Sequence, residues 1–216
     1  MPLNNDYFEE KFKIEKNIIK PFTEVLIGEF GQATAQTIIA ESLKSHQETR
    51  APSPFEGQTP ITILAQRRIE IDLIKFIYQN LKEKFSLAQA KSLIGQAVIN
   101  DARAAGRQKA SLAGGPTNLL TFAEILPQWS QGEALKMTVL ESSQDILHYV
   151  VHSCRYAEMY QDMGLLELGF LVSCYRDGAF MEGYAPNVTM DRSKTIMTGD
   201  PICEFCYRAS EKPQTT

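Results

Sequence analysis

Apolar positions in the first half of the chain recur at steps of three and four. Ile14, Ile18, Phe22, Val25, Leu26 and Phe30 mark one side of a helical region over residues 7–48. Pro21 predicts a kink or a division there, with a new helix starting beside it. A second helix is expected over GQATAQTIIAESLKSH, followed by a loop in TRAPSPFEGQTP, where Pro, Gly and Ser concentrate. The helical period returns from Thr62 to Leu81 through Leu64, Ile69, Leu73, Ile74 and Ile77. Ser86 is placed to cap a further helix reaching Lys109, and Gly114-Gly115-Pro116 stops whatever remains of it. NLLTFAEILPQW reads as one more short helix.

The pattern then changes. ALKMTVLESS and DILHYVVHSC read as two strands around a turn at Ser143-Gln144-Asp145. CRYAEMYQDMGLLELGFLVSCYRDGAFMEGY reads as a helix, a break at Gly164 and a second helix to about Gly183. VTMDRSKTIMTG and ICEFCYRA form a second pair of strands, turning at Gly199-Asp200-Pro201. Strands that arrive in pairs rather than singly between helices predict an α+β fold, with a helical N-terminal half followed by antiparallel hairpins and two intervening helices. The expected organisation is a helical part over 1–130 and an α+β part over 131–210, packed as one domain, with a disordered tail over 211–216.

Composition narrows the function. A chain of 216 residues can bury a core without disulfides or metals. The net charge of −4 and the scattered Lys and Arg exclude a nucleic-acid footprint. No apolar leader region is present, and no run approaches the roughly 18 apolar residues of a membrane span. Four cysteines without an export signal read as reduced thiols of a cytoplasmic protein.

Several residues could carry chemistry. Cys203-Glu204-Phe205-Cys206 is a CxxC, but no second pair completes a zinc ribbon, and on a strand its two thiols face opposite ways. His148 and His152 share one face of a strand about 13 Å apart, too far for one metal. Cys154 stands where a strand gives way to a helix. The positive end of the helix would lower its pKa, with Arg155 adding to the effect. Position alone leaves this reading level with that of a buried small hydrophobe. Cys174, Arg176, Asp177 and Glu182 lie on the second helix, and Cys174 and Asp177, three apart, share a face. Acids on so apolar a helix form either its solvated edge or a buried site.

GEALKMTVLE together with CRYAEMYQDMGLLELGFLVSCYRDGAFMEGYAPNVTMDRSKTIMTGDPICEF resembles the L-2-amino-thiazoline-4-carboxylic acid hydrolase family. The resemblance lies in Cys-x-Tyr-Ala-Glu, Leu-Gly-Phe-Leu, Arg-Asp, Glu-Gly, Thr-x-x-x-x-Gly and Cys-acid-Phe. It implies a hydrolase that opens a small cyclic amidine or isothiourea, such as 2-amino-thiazoline-4-carboxylate, to N-carbamoyl-cysteine by water attack at ring C2. It also implies catalytic roles for Cys154, Asp177, Glu182 and Cys203. Arg155, Tyr156, Arg176, Thr195 and His152 would then contact a small-molecule substrate, with Arg155 or Arg176 holding its carboxylate. No cofactor is expected. Zinc on Cys154, Cys203 and a carboxylate is the less favoured alternative. The phrase Gly-Asp-Pro-x-Cys-Glu-Phe is also similar to sensor domains of the vinyl-reductase type. That likeness implies a non-enzymatic ligand-binding domain whose N-terminal helices would form a homo-oligomer face. The sequence departs from the hydrolase pattern at Cys206, at Tyr175 and over HYVVHS.

Overall fold

The computed structural model describes residues 5–49 and 54–210. Part of the expected loop and the whole expected tail over 211–216 lie outside the described residues. The chain is α+β, with helices first and a four-stranded antiparallel sheet after them. It forms two compact units, Met1–Val98 and Ile99–Thr216.

The first unit contains α1 (Asn5–Phe30), α2 (Gln32–Thr49), α3 (Ile63–Lys84) and the start of α4 (Leu87–Leu112). Tyr7, Ile18, Phe22 and Leu26 of α1 are buried, as are Ile38 of α2 and Ile71, Leu73, Ile74 and Ile77 of α3. The expected break at Pro21 does not occur, for Pro21 lies inside α1. The helix ends ten residues later at Gly31, whose φ of +79° only glycine adopts without strain. The lost backbone hydrogen bond at Pro21 is outweighed by the apolar face that α1 buries on both sides of it. Thr62 caps α3, its hydroxyl accepting from the N–H of Ala65 at 3.2 Å. Ser86 accepts from the N–H of Gln89 at 3.3 Å, as expected of a cap.

The second unit holds the rest of α4, α5 (Leu119–Ile125), β1 (Leu135–Ser142) and β2 (Ile146–Cys154). After these come α6 (Arg155–Asp162), α7 (Leu166–Gly169), α8 (Tyr175–Tyr184), β3 (Val188–Lys194) and β4 (Cys203–Ala209). The strand order is β1-β2-β4-β3, so the two hairpins meet along β2 and β4. Leu147, Tyr149 and Val151 of β2 and Cys203, Phe205 and Tyr207 of β4 fill the inner face against Phe122, Met181 and Tyr184. The Tyr149 and Phe205 rings stack at 4.8 Å. Gly164, at φ +65°, turns the chain between α6 and α7. A π-helical turn over Phe170–Cys174 joins α7 to α8. Among the described residues no helix is long and apolar enough to cross a membrane.

Backbone contact fixes α8 against the last part of α4. A Cβ added at Gly183 would run into the carbonyl oxygen of Arg103, and one at Gly106 into that of Phe180. Arg176 donates to Asp101 at 2.6 Å, and Arg103 donates through Nε to Glu182 at 2.9 Å. Gly183→Ala should therefore cost about 1–3 kcal/mol in urea unfolding, because the crossing has no room for a methyl group. Wild-type stability in that variant would mean that the helices cross more loosely.

Candidate functional site

The antiparallel register of β2 and β4 sets Val151 opposite Cys203. The end of β2, which carries Cys154, therefore lies beside the start of β4. The segment between β3 and β4 fills the same corner. In it Thr195 is buried, its N–H donates to Asp200 Oδ2 at 2.9 Å, and a 3-10 turn follows over Ile196–Thr198. The Cys203 thiol donates to Thr195 Oγ1 at 3.6 Å and accepts from the Ile196 N–H at 3.2 Å. From the π-helical turn, Cys174 Sγ lies 3.8 Å from the same Thr195 oxygen. Three thiols and one hydroxyl thus gather where β2, the π-helical turn and the β3–β4 segment meet.

Asp177 lies one turn beyond Cys174 and accepts from Arg192 Nη1 at 2.6 Å. The same nitrogen donates to the Cys174 carbonyl at 3.1 Å. Arg192 sits where the β3–β4 register shifts between Asp191 and Lys194, and such an irregularity re-aims a side chain. Its guanidinium carbon lies 5.4 Å from the Phe170 ring centre and 5.3 Å from that of Phe205. Arg192 was not among the residues expected from sequence. The available signal was strand parity, since Val188, Met190 and Arg192 alternate with exposed Thr189, Asp191 and Ser193.

Beside this cluster opens a cleft of about 500 Å³, a volume suited to a small molecule. Its walls include Cys154, His152 and Glu158 on one side and Ile196–Gly199 on the other. His152 Nε2 lies 3.0 Å from Thr138 Oγ1 on β1. Among the described residues no three His, Cys, Asp or Glu side chains form a metal-binding group.

Not every expected residue joins this arrangement. Cys154, Cys203, Thr195 and Asp177 gather in one corner, and His152 lines the cleft. Glu182 lies about 140° around α8 from Asp177 and faces Arg103. Arg176 binds Asp101. The Arg155 guanidinium donates to the Gly132 carbonyl at 3.1 Å, and the Tyr156 hydroxyl to the Trp129 carbonyl at 3.3 Å. Neither Arg155 nor Tyr156 lines the cleft.

The electrostatics decide between the two readings that position leaves open for Cys154. Cys154 does cap α6, but its pKa is not lowered. Burial pushes the thiol up to about 11, and Cys203 and Asp177 push the same way. No side-chain cap hydrogen bond forms, so the Ala157 and Tyr156 N–H groups act on the sulfur as nearby dipoles and offset only part of the desolvation. Cys174 rises to about 12, by burial and then by the Asp177 charge. Burial also holds Tyr149 and Tyr207 above the usual phenol range.

Both thiols are therefore protonated at neutral pH. Alkylation of Cys154 by iodoacetamide, read by mass spectrometry, should rise about tenfold per pH unit between pH 7 and 10. A plateau near neutrality would show a low-pKa thiol instead. Because the folded values lie above the ordinary thiol value near 8.5, these groups contribute their full stabilisation below that pH. The contribution is lost as pH rises towards 11 and 12. The urea midpoint should accordingly fall between pH 8.5 and 10.5, and fall less in Cys174→Ala.

Residues 66–207 match the family model described as L-2-amino-thiazoline-4-carboxylic acid hydrolase. No curated protein is a significant match. Among solved structures, the chain is similar to an Fe(II) unliganded H-NOX protein from K. algicida, at 14% identity and a TM-score of 0.41. That alignment covers 92% of this chain and 98% of that one. It is also similar to an H-NOX protein from S. oneidensis, at 11% identity and a TM-score of 0.45, covering 93% of this chain and 98% of that one. A likeness this slight bears on neither fold nor function. The family match takes in all of α5–α8, β1–β3 and most of β4, and with them the thiol cluster and the cleft. The chain belongs to the L-2-amino-thiazoline-4-carboxylic acid hydrolase family.

Proposed function

We propose that the protein is a hydrolase that opens a small cyclic isothiourea of the 2-amino-thiazoline-4-carboxylate type. The observation that carries this reading is the gathering of Cys154, Cys203, Thr195 and Asp177 beside a cleft of ligand size. Water adds to ring C2 and loses a proton. The C2–S bond then breaks, and the sulfur leaves as a thiol after taking up a proton. The product is N-carbamoyl-cysteine, which is the substrate plus one water.

Two kinds of group are needed, one to take the proton of the attacking water and one to protonate the departing sulfur. Asp177, fixed by Arg192, is the carboxylate whose charge acts on both Cys154 and Cys174, and it handles the proton. Cys154, whose thiol is neutral at rest, lines the cleft and acts as the site thiol, either as hydrogen donor or as nucleophile once deprotonated. Thr195 and Cys203 hold the β3–β4 segment that forms the opposite wall. Glu182 and Arg176 are assigned to the α4–α8 contact rather than to substrate. No cofactor is assigned.

One observation favours a second reading, a ligand-binding domain without turnover. The two strongly shifted thiols are protonated at neutral pH, and Asp177, the carboxylate assigned to the proton, does not itself line the cleft. A single assay separates the two readings. Purified protein is given 2-amino-thiazoline-4-carboxylate with and without zinc, and thiol release is followed in quenched samples. Wild type should turn over, Cys154→Ala and Asp177→Asn should lose at least about a hundredfold, and Glu182→Gln should stay within about threefold, all with unchanged circular dichroism. Absence of turnover from folded wild type, with zinc supplied, would sink the hydrolase reading. Ligand-induced thermal stabilisation would then support the binding domain.

A further inference from the structure

Glu158 closes the phrase Cys154-Arg155-Tyr156-Ala157-Glu158, and neither the fold nor the proposed chemistry uses it. Positions 154, 157, 158 and 161 fall on one face of α6, one turn apart, and all four line the cleft. Glu158 is the only Asp, Glu, Lys or Arg among the lining residues. It makes no hydrogen bond or ion pair among the described residues. The cations nearest in sequence are committed elsewhere: Arg155 to the Gly132 carbonyl, Arg176 to Asp101 and Arg192 to Asp177. The cleft therefore presents one uncommitted carboxylate and no fixed positive charge.

We propose that the cleft binds the cationic amidinium end of its ligand, with the Glu158 carboxylate as the partner. A cyclic isothiourea is a base that takes a proton near neutral pH. The charge is then shared between the ring nitrogen and the exocyclic nitrogen, whose N–H groups point the same way. Two parallel N–H donors match the two oxygens of a carboxylate, as in an arginine–carboxylate pair. An amide or ring carbonyl in place of the exocyclic amine lacks both the charge and one donor. Glu158 is thus the residue that distinguishes an amidine from its hydrolysed, neutral counterpart.

The geometry of α6 gives the interaction a direction. Side chains four apart on a helix lie about 5–6 Å apart at Cβ. An amidinium held by Glu158 places its central carbon, the C2 that must be attacked, towards Cys154 at the foot of the same helix. Leu166, Ile196 and Met197 supply the apolar wall that covers the ring and its sulfur. The 4-carboxylate of the ligand is not needed for this contact. The simple cation 2-amino-2-thiazoline should therefore bind as well.

The proposal rests on the hydrolase reading only for the identity of the ligand, and binding tests it independently of turnover. Calorimetric dissociation constants at pH 7 would be measured for 2-amino-thiazoline-4-carboxylate, 2-amino-2-thiazoline and 2-oxothiazolidine-4-carboxylate, whose ring is neutral. Wild type should prefer the two amidines by about five- to tenfold. Glu158→Gln should lose that preference with an unchanged melting temperature, and Glu158→Asp should keep part of it. Equal binding of the neutral ring by wild type, survival of the preference in Glu158→Gln, or no amidine binding up to millimolar concentration would each overturn the proposal. Glu158-dependent binding without turnover would uphold it while sinking the hydrolase reading. Turnover with a preference indifferent to Glu158 would do the reverse.

Discussion

The site depends on one interaction, the antiparallel pairing of β2 with β4. The two hairpins are far apart in sequence, and that pairing joins them into one sheet. Its register brings the end of one hairpin, with Cys154, to the beginning of the last strand, with Cys203. A slip of one residue would turn Cys203, Phe205 and Tyr207 to the outer face and take the Cys203 thiol away from Thr195. The inward aromatic stack of Tyr149 on Phe205, continued by Tyr207, opposes such a slip, because large rings cannot move to the solvent face without losing their burial. The same stack that completes the core also fixes the site.

Arg192 ties that stack to the helices. A guanidinium is planar, weakly hydrated and able to lie against aromatic faces, so it tolerates a position that would be costly for a lysine. Phe205 comes from the sheet, Phe170 and the Cys174 carbonyl from the π-helical turn, and Asp177 from the start of α8. One side chain therefore satisfies its charge and binds three elements to one another. Asp177 gains a fixed orientation in return.

The hydrophobic period made the helices and strands legible, because a buried helix face and a half-buried strand each leave a repeating mark. Pro21 misled, since a lost backbone hydrogen bond is a local cost that a long apolar face can offset, and the helix ended only at Gly31, where the backbone itself turns left-handed. In the site, Cys154, Cys203 and Thr195 could be picked out by resemblance, but their meeting could not be read from spacing, because it comes from strand register. Glu182 and Arg176 looked like equals of Asp177. A helix of known sequence does not reveal which neighbour each face meets, and the close backbone crossing at Gly106 and Gly183 turns those two towards α4. Arg192 is legible in principle from strand parity, but a charge in a strand reads first as solvent-facing.

The state of Cys154 shows how these parts depend on one another. Its place at the head of α6 favours the thiolate, yet burial and two nearby groups favour the thiol, and burial wins. The free site therefore holds a protonated sulfur at Cys154. What would shift the balance is a positive charge beside the sulfur that is absent until substrate arrives. An amidinium drawn in by Glu158, one turn along the same helix, is such a charge. It would favour the thiolate by direct attraction in a cleft from which the ligand has displaced water. If the ligand binds as proposed, its cation would oppose burial at the same sulfur as the helix dipole, which alone does not outweigh it.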